Sequence, residues 1–208
     1  MLVKKIPKAT AKRLSIYYRC LKNFKAMGMD RVSSEQISDA VKVDSATIRR
    51  DFSYFGTLGK RGYGYEIDHL IEFFSRLLSQ DQLTMVALIG VGNLGNALIS
   101  YNFKQSNNVH INAAFDIDPD KVGKIHEGVP IYSMDELVDQ LEARQIDIVI
   151  LAVPGQAAQS VVPQLEEAGV KGILNFSASR LNVPKDIFVQ TVDLANELQT
   201  LIYYVTNH

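Results

Sequence analysis

Residues 85–95 read Met85-Val86-Ala87-Leu88-Ile89-Gly90-Val91-Gly92-Asn93-Leu94-Gly95. Five apolar residues in a row form a buried strand, and Gly90–Gly95 fits G-x-G-x-x-G where that strand gives way to a helix. Each glycine then has its own task. Gly90 permits the tight turn, Gly92 lets the backbone approach a pyrophosphate, and Gly95 allows the helix to lie close on the sheet. Backbone N–H groups at the helix start hold the phosphates, with the helix dipole behind them. Asp116 ends the next apolar run, Ile111–Phe115, 21 residues after Gly95. That is the place of the acid that bonds the ribose hydroxyls of a dinucleotide. Ile117 comes next rather than an arginine suited to a 2′-phosphate, so the pattern favours NAD over NADP. A tight strand-to-helix turn without a ligand is the plainer alternative.

Toward the C-terminus, apolar runs recur at Ile146–Val153, Gly172–Phe176 and Ile187–Val192, with helical patterns at about 93–104, 134–143 and 156–168. Short apolar strands joined by helices predict an α/β fold, a Rossmann-type doubly wound parallel sheet over residues 83–193. Val153 and Pro154 end a strand at the carboxyl edge, where such sheets bind ligands. Tyr101 lies on the first helix, in a stripe with Leu94 and Leu98. For these three residues core packing and ligand contact both stay open. A last apolar helix face, Leu194, Leu198, Leu201, Ile202 and Val205, occupies residues 194–208.

Residues 1–80 have a different rhythm and a different charge. They hold fifteen Lys/Arg and eight Asp/Glu, against seven and fifteen in the rest of the chain, a contrast hidden in the net charge of −1. A basic unit joined to an acidic one implies two domains with different partners. Leu14, Tyr17, Tyr18, Leu21, Phe24 and Met27 mark one face of a first helix, which Gly28 ends. Ser33 and Gln36 have capping-box spacing for a second helix, and Asp44 can cap a third, over 45 to about 55. Gly56, Gly59, Gly62 and Gly64 then predict a hairpin, and a fourth helix from Ile67 leads to the polar joint Ser79–Gln82.

That order is a winged helix-turn-helix. With Ile48, Phe52 and Phe55 inward, the third helix displays Ser45, Ala46, Arg49, Arg50 and Ser53. Small residues admit close approach to a major groove, and arginine can bond guanine O6 and N7. Lys60 and Arg61 at the hairpin can reach phosphates or a minor groove. The expected partner is double-stranded DNA. A small helical domain with a solvated basic face is the plainer alternative.

Several classes are excluded. The longest apolar stretches fall well short of the ~20 residues that cross a bilayer. No apolar segment follows the charged start Met1-Leu2-Val3-Lys4-Lys5, so the expectation is no membrane span, no secretory signal and a cytoplasmic location. The single Cys20 rules out an internal disulfide and a cysteine-built metal cluster, and no metal site is expected. His69, His110, His126 and His208 are scattered, and little chain remains after Val192 for a substrate domain. A chain that holds a redox cofactor without equipment to use it reads that cofactor, so no enzyme is expected.

Six runs carry a resemblance: Ser33-Ser34-Glu35-Gln36-Ile37, Ile48-Arg49-Arg50-Asp51-Phe52-Ser53-Tyr54-Phe55-Gly56, Gly62-Tyr63-Gly64-Tyr65, Gly90–Gly95, Phe115-Asp116-Ile117-Asp118-Pro119 and Gly172-Ile173-Leu174-Asn175-Phe176. Together they resemble the Rex family of redox-sensing transcriptional repressors over nearly the whole chain. The resemblance implies a bacterial homodimer that binds an inverted-repeat operator when NADH is low and lets go when NADH binds. It also implies a C-terminal helix swapped between subunits as the dimerisation element. The family's switch joins a tyrosine near the nicotinamide, an aspartate from the other subunit and an arginine on the first helix. Tyr101, Asp193 and Arg19 match these, with Arg13 a competitor for the last. Two further readings stand beside this one, an NAD-dependent oxidoreductase and a CoA-binding regulatory subunit.

Overall fold

The computed structural model describes residues 6–60, 62–101, 103 and 108–207. The chain divides into two compact units, Met1–Gln82 and Leu83–His208.

In the first unit α1 (Lys8–Ala26) buries Thr10, Leu14, Tyr17, Cys20 and Leu21. The stripe stops one turn earlier than its spacing implies. Met27 is 74% exposed, because Gly28 takes a left-handed φ of +79° and swings the chain back, so Met29 rather than Met27 packs on this core. A two-residue strand β1 (Arg31–Val32) comes next, then α2 (Ser34–Val41), opened by the expected capping box between Ser33 and Gln36. Asp44 caps α3 (Ser45–Ser53) by accepting from the N–H groups of Ala46 and Thr47. The glycine-rich segment forms β2 (Gly59–Lys60) and β3 (Gly64–Glu66), and β1 joins them in a three-stranded antiparallel sheet of order β1-β3-β2. Close packing explains two of its glycines. A Cβ on Gly59 would lie 2.5 Å from the Tyr65 ring, and one on Gly64 would lie 2.6 Å from the Val32 carbonyl. The amphipathic α4 (Ile67–Leu77) closes the core with Ile67, Leu70 and Phe74. Phe52 sits at its centre, edge-on to Tyr17 and Tyr65 and tilted against Phe74.

The second unit is a seven-stranded sheet of order β10-β9-β8-β4-β5-β7-β6. Its strands are β4 (Thr84–Ile89), β5 (Val109–Asp116), β6 (Ile125–His126), β7 (Val129–Ser133), β8 (Ile148–Leu151), β9 (Gly172–Asn175) and β10 (Phe188–Thr191). All pairings are parallel except that of β6 with β7. The chain starts at central β4, runs outward through β5 to β7, then crosses to β8 on the other side of β4. This is the doubly wound Rossmann order, whose reversal leaves a crevice at the carboxyl ends of β4 and β8.

Among the described residues its helices include α5 (Asn93–Ser100), α6 (Leu137–Ala143, entered through a 3-10 turn at Met134–Glu136), α7 (Gly155–Glu167) and α8 (Leu194–Asn207). Successive β4 side chains point to opposite faces. Ala87 and Ile89 join the core that includes Leu137, Leu141, Val161 and Leu165, and Val86 and Leu88 pack with Ile111, Ala114 and Ile131. Both faces are therefore dry, which is why the strands read as continuous apolar runs.

The structure departs from the sequence pattern in two places within this unit. The pair β6–β7 is unannounced. Its two-residue turn has Glu127 and Gly128 at φ 47° and 84°, a type I′ geometry, but Glu stands where Asn or Asp usually signals that turn. The first Rossmann helix ends at Ser100 rather than near 104, which corrects the placement of Tyr101. That residue lies past the helix in extended backbone, 56% exposed, against the edge of Phe103 rather than in a core stripe.

Candidate functional site

The glycine turn leaves β4 at Gly90, whose φ of +95° only glycine adopts without strain. A Cβ there would lie 2.7 Å from the Ala152 carbonyl, and one on Gly95 would lie 2.1 Å from the Gly90 carbonyl. The protein's own packing thus demands both residues. Gly92 differs: a Cβ there would meet nothing within 4 Å, and its φ is not left-handed. No intramolecular reason for a glycine exists at that position, which faces open space as a ligand cradle must. Gly92 also opens α5 without any capping side chain, so the first N–H groups of the helix, from Asn93 onward, await an acceptor. Leu94 beside them is half-buried.

Asp116 is 8% exposed and lies across this turn. Its Oδ2 accepts from the Val91 N–H at 2.7 Å and from Lys121 Nζ at 3.4 Å, and its Oδ1 accepts from the Asp118 N–H at 2.9 Å. Burial alone would raise this carboxyl. The N–H groups of Asp118 and Val91, then the Lys121 charge, outweigh burial and hold it below the ordinary carboxylate range. An ionised Asp116 keeps lone pairs for further donors such as ribose hydroxyls. Gly90, Gly92, Asp116, Val153 and Pro154 line one cavity of about 430 Å³ at the switch point, with Lys121 among its walls. Sequence reasoning missed Lys121, although Asp116-x-Asp118-x-x-Lys121 places a cation one turn beyond the acid. The apolar walls, the open glycine and the ionised acid suit the adenosine end of a dinucleotide.

Tyr101 is not part of that cavity. It borders a separate depression with Ser100, Phe103, His110 and Glu127. Asp193 is half-buried at the start of α8, where its Oδ1 accepts from the Asn196 N–H at 3.0 Å, a helix cap. Arg19 is exposed on α1 beside Ile16, Cys20, Asn23 and Phe24. Arg13 is held within the first unit. Its guanidinium donates to both oxygens of Asp51, at 2.6 and 2.7 Å, and Tyr17 and Thr10 donate to the same carboxylate at 2.6 and 2.8 Å. Burial would raise Asp51, but Arg13, Tyr17 and Thr10 together bring it below its ordinary range. Burial and the Asp51 carboxylate push the Tyr17 phenol up.

On α3, Ala46, Arg49, Arg50 and Ser53 are exposed and Ser45 is half-buried, on the face opposite Ile48, Asp51 and Phe52. The hydroxyl of Ser53 donates to the Arg50 carbonyl at 2.7 Å. Arg50 makes no ion pair among the described residues, whereas Arg49 bonds Ser34 and Glu35. Lys60 pairs through its backbone with Gly64, and Arg61 lies outside the described residues. No group of side chains fit to hold a metal ion occurs among the described residues, and no described helix is long and apolar enough to cross a membrane.

Comparison with known proteins matches a putative DNA-binding N-terminus to residues 5–53 and a CoA binding domain to residues 81–179. The chain is 56% identical to the redox-sensing transcriptional repressor Rex 1 of Enterococcus faecalis, over 96% of this chain and 93% of that one. It is 60% identical to the Rex repressor of Lactobacillus acidophilus, over 97% of this chain and 95% of that one. Among solved structures, RSP in complex with β-NAD⁺ and operator DNA superposes with a TM-score of 0.90 at 31% identity, covering 97% of this chain and 93% of RSP. RSP with β-NADH gives 0.86 at 30%, covering 97% and 95%. A likeness of this extent, embracing both units, establishes that the chain belongs to the Rex family of redox-sensing transcriptional repressors.

Proposed function

We propose that this chain binds operator DNA through α3 and the β2–β3 wing and releases it when NADH enters the cavity over the glycine turn. The observation that carries the nucleotide half is Gly92, a glycine that the protein's own packing does not require, lining one cavity with the ionised Asp116. In this reading the free N–H groups of α5 hold the pyrophosphate, Asp116 accepts the adenosine ribose hydroxyls, and Val153 and Pro154 form the wall at the β8 edge. The nicotinamide supplies the signal when bound, since its oxidised form carries one more positive charge than its reduced form. Tyr101 and Asp193 are the groups proposed to respond to it. Arg19 is the switch arginine, because Arg13 already serves Asp51.

DNA contact assigns Arg50 to base edges, with Ser45, Ala46 and Ser53 allowing close approach, and Lys60 and Arg61 to phosphates or the minor groove. The working form is a homodimer joined through a swapped α8, so its operator is an inverted repeat. The protein is a sensor rather than an enzyme, and as a repressor it acts where the chromosome is, in the cytoplasm. The match to a CoA binding domain favours a second occupant for the same sheet. One titration tests both. Operator binding, monitored by fluorescence anisotropy, should weaken at least tenfold with NADH and far less with NAD⁺ or CoA. Equal effects of NADH and NAD⁺ would overturn the redox reading, and release by CoA alone would install the second.

A further inference from the structure

The two arginines of the recognition helix stand in different company. Arg50 is exposed without an ion pair among the described residues. Arg49 is held: its Nη1 donates to Ser34 Oγ at 2.9 Å and to Glu35 Oε1 at 3.0 Å, and the Ser34 hydroxyl in turn reaches Glu35 Oε2 at 3.3 Å. Ser34 is 6% exposed and so fixed in place, and both helix starts are locked, α2 by its capping box and α3 by Asp44. The cluster borders a groove between α3 and the wing, lined also by Gly59, Gly62 and Tyr65.

As a stabilising contact the pair is weak. Glu35 and Arg49 side chains are 66% and 50% exposed, and exposed pairs contribute little to folding. Its position matters more. In a helix-turn-helix the helix before the recognition helix crosses the phosphate backbone, and Glu35 is in the first turn of that helix. Its own backbone N–H, then Ser33, Ser34 and Arg49, keep this carboxylate ionised against what desolvation it meets. A fixed anion at a phosphate-facing helix start is costly on any DNA, so it needs a compensating use.

We propose that Glu35 is a specificity-determining residue. It holds the Arg49 guanidinium away from phosphates and repels backbone that is not in operator register, so that operator-shaped DNA, where Arg49 finds a base edge, is favoured over random DNA. This rests on the proposed use of α3 as the DNA-reading helix. Glu35 selects by opposing the wrong partner, as specificity commonly requires.

Glu35→Gln tests this, because glutamine keeps the size and polarity of the side chain and removes the charge that holds Arg49. Its affinity for random-sequence duplex should rise about fivefold, the scale of one charge–charge contact at high dielectric. Its operator affinity should hold within about twofold, so the specificity ratio falls. The slope of log K against log salt on random DNA should steepen by about 0.9, one extra phosphate contact from the released Arg49. Arg49→Ala in parallel separates the two ideas. If Arg49→Ala lowers operator binding while Glu35→Gln leaves ratio and slope unchanged, Glu35 is only a surface partner and the inference fails. If Arg49→Ala leaves all DNA binding unchanged while Arg50→Ala weakens it, Arg49 does not touch DNA and the inference fails alone; if neither variant changes DNA binding, the α3 assignment fails, and the inference with it.

Discussion

At the scale of single residues, the three glycines of the turn divide into two kinds, and the division can be measured. Gly95→Ala would set a methyl 2.1 Å from the Gly90 carbonyl, and neither backbone can yield without opening the helix–sheet contact. We expect it to cost ~3 kcal/mol, the upper end of what overpacking of a close-packed contact costs, visible as a lowered melting transition. Gly92→Ala meets no protein atom and exchanges only a glycine N-cap for alanine, roughly 0.5–1 kcal/mol, so the melting temperature should fall by no more than about 4 °C while NADH affinity falls at least tenfold by calorimetry. An unchanged NADH affinity would remove the pyrophosphate from Gly92. Asp51 offers a second test. Its folded pKa is depressed, so its stabilising contribution is complete above the unfolded value of ~3.9 and is lost as pH falls through the folded value. Tyr17 is raised, so its contribution is complete below the unfolded value of ~10 and is lost as pH climbs beyond it. Unit 1 should therefore hold a flat stability between about pH 5 and pH 9 and weaken on both sides. Asp51→Ala, which strands Arg13 and Tyr17, should cost ~3–5 kcal/mol by urea unfolding at pH 7. Local signals of this kind differ in legibility. The caps at Ser33 and Asp44 and the glycine spacing lie within a few residues of their partners, and the sequence displays them. Asp51 bonds residues 34 to 41 positions away, and nothing around it distinguishes a buried carboxylate from a solvated one.

At the scale of elements, the strands and helices that bury a periodic face are readable in the sequence, and those set by pairing are not. The runs that form β4 and β8 are apolar on both faces, whereas β10 is an exposed edge ending in Gln190-Thr191, β1 has two residues and β7 begins with Val129-Pro130 after an unsignalled turn. The end of α5 is hidden because Tyr101 continues the helical spacing of Leu94 and Leu98, although the chain has already turned extended at that point. The last helix is readable as amphipathic but not in its purpose. None of its residues is buried in the chain, and Leu198, Leu201 and Ile202 are 57%, 58% and 51% exposed at i, i+3 and i+4. An apolar stripe left in water is expected to be covered by a second copy. Burying one leucine contributes ~1.5–3 kcal/mol, and a two-fold interface counts each substitution twice. Leu201→Glu should thus raise the dimer dissociation constant at least a hundredfold, read by sedimentation, while each unit keeps its circular dichroism. A variant that stays dimeric would move the interface off α8.

At the scale of the whole molecule, the charge asymmetry between a basic first unit and an acidic second one is legible, and the two functions track it; how one unit informs the other is not. Coupling between them is a free energy, and it is reciprocal: if NADH weakens operator binding by some factor, operator DNA must weaken NADH binding by the same factor. An effector moves an equilibrium only by its differential affinity for the two states. The switch residues must therefore distinguish states rather than hold either ligand. Asp193 is suited to this, since it is the cap of α8, the element proposed to pass between subunits, and not a wall of the cavity over the glycine turn. Arg19 is an exposed cation of α1, available for a carboxylate in the DNA-competent state, and Tyr101 is an exposed phenol to which Asp193 would turn when the nicotinamide is reduced. Removing Asp193 should uncouple the sites without emptying them. Asp193→Ala loses a helix cap as well, at ~1 kcal/mol, so Asp193→Asn, which keeps the cap and discards the charge, is the better variant. We expect it to bind NADH within about threefold of the parent and to bind operator DNA alone, yet to lose most of the factor by which each ligand weakens the other, typically about 5- to 150-fold in coupled proteins. Calorimetry of NADH with and without saturating operator DNA measures that factor directly. If Asp193→Asn retains it in full, the nicotinamide charge is read by another group, and the path from the second unit to the first does not run through α8.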